Sequence, residues 1–280
     1  MTAWRAMIGL LMVALPALAA AQPVRTATTG HGDVVLAYTD RGTGPAIVLL
    51  PSLGRGAADF DDLAARLGAA GFRVLCPEPR GIGGSVGPLA VATLHDFAVD
   101  IAAVVEHAAA APAVVLGHAY GNTVARTLAT ERPDLVRGVV LVAASGRAFL
   151  SEPVKQAIAR ASDLSLPEPE RLQYLQIGYF APGSDPSAWL NGWYPELQSA
   201  EFKAAAAVPP GAYVPAGGTV PILDLQGADD VIIPREQSRA LIDELGSGRV
   251  TLVLIPHAGH AMLPEQPVAV AGAIINWMRR

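Results

Sequence analysis

The chain has 280 residues, 51% of them hydrophobic and 16% charged, enough apolar side chain to bury a real core, which excludes a disordered polymer. Twenty basic residues against 25 acidic ones give a formal net charge of −5 with no basic block, which disfavours a nucleic-acid partner. A single cysteine, Cys76, excludes an intramolecular disulfide and, with the histidines scattered, a zinc ribbon.

In chain order, the first feature is a leader. Arg5 precedes the apolar run Ala6–Leu15, Pro16 breaks it, and the small residues Ala17-Leu18-Ala19-Ala20-Ala21 follow. Charge, short apolar stretch and A-x-A site in that order are those of a secretory signal peptide spanning residues 1–21. The run is shorter than the roughly 18–20 residues that span a bilayer. The expected mature protein is exported, periplasmic or secreted, and free of the membrane; losing Arg5 takes its net charge from −5 to −6.

Beyond the leader, short apolar runs alternate with amphipathic helical patterns. Strands are predicted at Val34–Thr39, Ala46–Leu50, Arg73–Cys76, Ala113–Leu116, Arg137–Ala143, Pro221–Gln226 and Val250–Ile255. Several are continuous Val/Ile/Leu segments, the signature of strands covered on both faces of a parallel sheet. Helices are predicted near Asp59–Ala70, His95–Ala110, Asn122–Arg132, Arg235–Leu245 and Val268–Arg279. The alternation predicts right-handed crossovers and a doubly wound, mostly parallel α/β sheet. The first two strands, joined through Gly30-His31-Gly32, are expected to form an antiparallel hairpin.

From 147 to 218 the alternation stops and nine prolines appear with Trp189, Trp193 and Tyr194. A stretch this long is not a plain loop. It predicts a helical lid inserted at 147–218 into a core formed by 22–146 and 219–280.

The segment Val114-Val115-Leu116-Gly117-His118-Ala119-Tyr120-Gly121-Asn122 is a buried strand running into a turn with glycine on both sides of the apex, then a helix. Gly-x-Ser-x-Gly in that setting is a nucleophile elbow, whose glycines let strand and helix backbones approach closely. Here the apex is Ala119, and a methyl group cannot attack a carbonyl.

Four pieces in this order resemble the α/β-hydrolase superfamily, in its lid-bearing esterase and haloperoxidase-like group: the elbow, Pro79-Arg80-Gly81-Ile82-Gly83-Gly84-Ser85, Gln226-Gly227-Ala228-Asp229-Asp230, and Ala258-Gly259-His260 followed by Glu265-Gln266-Pro267. The resemblance covers nearly all of residues 32–280. It implies Ala119 at the nucleophile position, Asp230 as the triad acid in preference to Asp229 or Asp224, and His260 as the base, with Asp230 fixing the imidazole tautomer. It implies backbone oxyanion donors at Leu53 and Tyr120. Where the family commonly reads His-Gly, this chain reads Leu50-Pro51-Ser52-Leu53. His118 and His257 are read as structural, and Cys76 as a small core hydrophobe.

Ser52 and Ser145 are candidate pocket-lining hydroxyls. Arg55 and Arg80 are candidates either for holding an anionic substrate or for bracing their loops, and Trp189 and Trp193 either for stacking on an apolar substrate or for packing the lid onto the core. No cofactor or metal is implied: Gly81-x-Gly83-Gly84 lacks the strand-then-helix context of a dinucleotide turn. The expected partner is a small molecule, and oligomeric state is not readable. Three functions stay open: a hydrolase of a small ester- or amide-type substrate whose nucleophile is replaced by alanine, an enzyme using Asp230–His260 as a noncovalent general base, and a ligand-binding pseudoenzyme.

Overall fold

The computed structural model describes residues 23–144, 150–208, 219–237 and 239–280. The leader, Ser145 and both predicted lid boundaries lie outside the described residues. No helix among those described is long and apolar enough to cross a membrane.

Eight strands form one sheet: β1 (Val24–His31), β2 (Val34–Arg41), β3 (Ala46–Leu50), β4 (Arg73–Pro77), β5 (Ala113–His118), β6 (Val136–Val142), β7 (Ile222–Gly227) and β8 (Val250–Ile255). Their spatial order is β1-β2-β4-β3-β5-β6-β7-β8. The β1–β2 hairpin is antiparallel and joins β4 antiparallel, whereas β4 through β8 run parallel. The predicted doubly wound sheet is therefore present, with a hairpin at one edge.

Alternation along each strand divides the core between two faces. Val48 and Leu50 of β3 point to the face covered by α2 (Leu94–His107) and α3 (Gly121–Glu131), where Phe97, Ile101, Val105 and Leu128 meet them. Ile47 and Leu49 point to the face covered by α1 (Asp61–Ala69) and α9 (Pro267–Met278), against Leu63, Leu67 and Ile274. Each such side chain, fully buried, contributes about 1.5–3 kcal/mol.

Helix ends follow local chemistry. At α2 the Thr93 hydroxyl accepts from the Asp96 N–H while the Asp96 carboxylate accepts from the Thr93 N–H, a reciprocal cap that starts the helix at Leu94. The predicted helix at 59–70 opens with a 3₁₀ turn, Ala57–Phe60. The one predicted at 235–245 is a 3₁₀ turn, Arg235–Gln237, followed by the short α7 (Ala240–Leu245). A one-turn α8 (Met262–Glu265) precedes α9, which begins at Pro267, where the missing N–H costs nothing.

Between β6 and β7 the chain leaves the sheet and forms α4 (Glu152–Ala161), α5 (Glu168–Gly178), a 3₁₀ turn (Pro186–Trp189) and α6 (Pro195–Ala206). This insertion has its own apolar cluster, including Leu175, Tyr179, Phe180, Trp189 and Trp193, which packs on Ile232, Ile233 and Ala261 of the core. Sheet register decides what it covers. Leu50 pairs with Gly117, His118 with Val142 and Gly227 with Ile255, so the turns after β3, β5, β7 and β8 gather at one edge.

Candidate active site

β5 is buried along its length and ends in Ala119, whose φ is +44°. A left-handed backbone costs an L-residue about 1–2 kcal/mol, and persists only where its surroundings dictate it. They do so here. The Ala119 N–H donates to the Val142 carbonyl at 2.9 Å, and the Asn122 side-chain amide donates to the Ala119 carbonyl. A Cβ on Gly117 would lie 2.3 Å from the Gly121 carbonyl carbon, and one on Gly121 would lie 2.4 Å from the Leu50 carbonyl oxygen. Neither glycine can carry a side chain without moving the backbone.

The loops after β7 and β8 are pressed together in the same way. A Cβ on Gly227 would sit 2.4 Å from the Ala258 carbonyl oxygen, and the Asp229 N–H donates to that oxygen at 2.9 Å. This contact turns the exposed Asp229 outward and the buried Asp230 inward. His260 Nδ1 lies 3.0 Å from Asp230 Oδ2, while Asp230 Oδ1 accepts from the N–H groups of Ile232 and Ile233 at 2.8 and 3.0 Å. The carboxylate is thus held by three donors, one of them the imidazole. Asp224 lies within β7, where its Oδ1 accepts from the Gln226 amide, and His257 is exposed at φ +55°.

His118, beside the apex, is fully buried and donates from Nε2 to the His260 carbonyl at 2.9 Å. Burial, with His260 adding repulsion, lowers its pKa to about 3, so the ring is neutral. It therefore ties the elbow to the histidine loop without adding charge. Cys76 is buried, and the same desolvation pushes its thiol up to about 12, which leaves it inert.

Three contacts bind the insertion to this site, and of the residues that make them only Glu265 stands in a motif that the sequence offers. Glu265 accepts from the Gly259 N–H through Oε2 and from the Ala181 N–H through Oε1, both at 2.7 Å. Tyr179 follows α5, its carbonyl accepts from the Ala261 N–H at 2.9 Å, and its ring lies 5.9 Å from that of His260. Glu201 on α6 accepts from the Gly54 N–H at 2.6 Å, and Gly54 in turn accepts from the Tyr194 N–H at 2.9 Å. Gly54 follows Leu53, so the loop expected to supply an oxyanion donor is gripped by the insertion. Leu53 and Tyr120 are half-buried, while Ser52 is buried and accepts the Arg55 N–H on its carbonyl.

Arg55 takes up the bracing role of the two expected for it. Its guanidinium sits in the corner between the perpendicular rings of Trp189 and Trp193, with Cζ 4.7 Å from each centroid. Nε and Nη2 bond Asp59 at 2.8 and 2.5 Å, and Nη1 bonds the Asn191 carbonyl at 2.8 Å. With every nitrogen engaged it braces the insertion against the core instead of facing a substrate anion. Arg80 is likewise taken up, by both oxygens of Asp100. Trp189 and Trp193 are only 2% and 6% exposed, and Trp189 also packs on His118 and Tyr179. In this arrangement they leave little ring face for a ligand.

Chemically, the site offers a buried Asp–His pair able to accept a proton, and a turn that presents a methyl group where a nucleophile would stand. Among the described residues no cluster of three His, Cys, Asp or Glu side chains could hold a metal ion.

Comparison with known proteins gives these features a context. Residues 47–273 match the model of the alpha/beta hydrolase family. A protein named "Putative non-heme bromoperoxidase BpoC" from Mycobacterium tuberculosis is 29% identical over 260 residues, covering 86% of this chain and 97% of that protein. Its crystal structure superposes with a TM-score of 0.71 at 27% identity, over 87% of this chain and 95% of that one. A thermophilic esterase from Thermogutta terrifontis, 24% identical, shares the fold with a TM-score of 0.72 over 92% and 98% of the two chains.

Proposed function

The chain belongs to the alpha/beta hydrolase family, and on that premise we propose that its site is built for a small ester- or amide-type acyl substrate and lacks only the oxygen nucleophile, at Ala119. The observation that carries this reading is the strained apex. Ala119 keeps φ +44° between two glycines that admit no Cβ, so strand and helix still meet in the tight turn of an elbow although its apex carries a methyl group. In the proposed roles His260 takes the attacking proton, Asp230 holds its tautomer and compensates the imidazolium, and the N–H groups of Leu53 and Tyr120 stabilise the oxyanion. As written, the chain binds its acyl substrate and forms no covalent intermediate.

The intact Asp230–His260 pair favours a second reading, in which His260 activates water or removes a substrate proton directly. Ala119→Ser separates the two. Under the first reading the serine form is labelled by a fluorophosphonate and hydrolyses short activated esters, and the alanine form does neither. Loss of a serine nucleophile costs about 10⁶-fold in kcat, and a missing oxyanion donor about 10²–10³, so restoring the hydroxyl gains at least about 10³-fold even with one donor out of place. A folded serine form that stays inert removes the first reading. Turnover by the alanine form that His260→Ala abolishes establishes the second, and turnover by neither leaves ligand binding alone.

A further inference from the structure

Beside the elbow, on the sheet face covered by α2 and α3, lies a cavity of about 40 Å³. Leu50, Phe97, Ile101 and Val124 form its apolar wall, Tyr120 and Gly121 of the elbow border it, and Glu201 of the insertion closes it. One water-sized probe needs roughly 10–15 Å³, so the space holds about three or four non-hydrogen atoms.

Among the described residues no basic side chain lines the cavity, while Glu78, Asp100 and Glu201 do. Asp100 is matched by the buried Arg80, which is fully engaged with it and with the carbonyls of Pro88 and Asp96, and by His31 at 2.6 Å. Glu78 accepts from the Ala57 N–H at 3.0 Å, and burial raises its carboxyl above the usual range. Glu201 is buried with one oxygen on Gly54, and desolvation raises its carboxyl well above that range, favouring the uncharged acid. A carboxylate entering this space would lose its water and find no cation among the described residues that line it.

We propose that this cavity is the acyl subsite of the site, and that it admits short uncharged acyl groups while excluding those ending in a carboxylate. The assignment rests on the hydrolase reading, because only an acyl substrate at the elbow directs its chain past Tyr120 and Gly121. It adds a substrate class to that reading, and it makes the insertion, through Glu201, one wall of the specificity pocket.

The protein as it stands suits the test, because Ala119 forms no acyl-enzyme and an ester can be titrated intact. Two isosteric probes differ only in charge: 4-fluorophenyl 3-methylbutanoate and mono-4-fluorophenyl malonate, followed by fluorine NMR at pH 7.5. Saturable binding of the neutral ester is expected, with the malonate at least about 100-fold weaker, since a carboxylate stripped of water with no cation to meet it costs several factors of ten. Location is read by Val124→Ala, which should improve binding of 4-fluorophenyl hexanoate relative to the 3-methylbutanoate by about tenfold or more. Ile101→Phe, which fills the same space, should abolish binding of the 3-methylbutanoate, with thermal melts confirming that both variants fold. Malonate binding within threefold of the neutral ester overturns the proposal, as does a chain-length preference unmoved by both variants. Failure of the neutral ester to bind also overturns it, and fluorophosphonate labelling of Ala119→Ser then tells whether the hydrolase reading stands without it.

Discussion

Arg55→Met tests whether the insertion is braced as the structure indicates. Methionine keeps most of the side-chain length between Trp189 and Trp193, so little cavity opens. Two cation–π contacts of roughly 1 kcal/mol each are lost, and sulfur–aromatic contacts of about 0.3–1.5 kcal/mol replace them. What remains is the ion pair. The Arg55 and Asp59 side chains are 2% and 10% exposed, and stripping one partner from a buried pair costs about 3–5 kcal/mol. Because Asp59 retains slight access to water, the lower end, about 3 kcal/mol, is expected. For a domain of this size that is a fall in Tm of about 6–12 °C. Urea denaturation followed by tryptophan fluorescence measures it, with Trp189 and Trp193 reporting at the site itself. Arg55→Met with Asp59→Leu should recover at least about 2 kcal/mol, because replacing both charges leaves nothing buried and unpaired. A single-variant loss below about 1 kcal/mol, or a double variant whose losses simply add, would refute the brace.

Ala119→Gly relieves about 1–2 kcal/mol of left-handed strain against about 0.5–1 kcal/mol of chain entropy, so urea melts should show it neutral to about 1 kcal/mol more stable. Ala119→Val should instead be destabilised. His118 has a folded pKa of about 3 against an ordinary 6.5, so between those values only the unfolded chain takes up its proton. Stability then falls as the pH drops through that window, by up to about 1.4 kcal/mol per pH unit, and His118→Gln should remove one proton's worth of the slope in melts at pH 4.5 and 6.5. Glu265→Gln leaves an acceptor for only one of the N–H groups of Gly259 and Ala181; a loss of about 1–2 kcal/mol is expected, with faster hydrogen exchange at one of those amides.

Much of the sheet was readable because its information is local. Continuous Val/Ile/Leu runs such as Ala46–Leu50 and Val250–Ile255 need no partner to declare a strand, and the structure places them within a residue or two of expectation. The elbow was equally local: Gly117 and Gly121, four residues apart at the end of a buried strand, are demanded by backbone contacts at 2.3 and 2.4 Å. The turn Gly30-His31-Gly32 marked the opening hairpin although β1 before it was not predicted, and the acid and histidine loops and the family came from motifs that resemble those of the superfamily. Long-range packing decided the rest. Asp229 and Asp230 are neighbours with the same side chain; the resemblance prefers Asp230, and the contact of Asp229 with Ala258, across 29 residues, supplies the physical reason by leaving Asp230 turned toward His260. Whether Arg55 faces a substrate or braces its loop is open in the sequence, and Trp189, Trp193 and Asn191, more than 130 residues away, decide it by closing around the guanidinium. Glu201 in sequence is one acidic residue on a helix, indistinguishable from a solvated face, and it meets Gly54 across 147 residues. A strand or a turn is specified by the side chains within it, whereas the protonation and partner of a buried charge depend on which distant surface desolvates it, and that is settled only when the insertion docks.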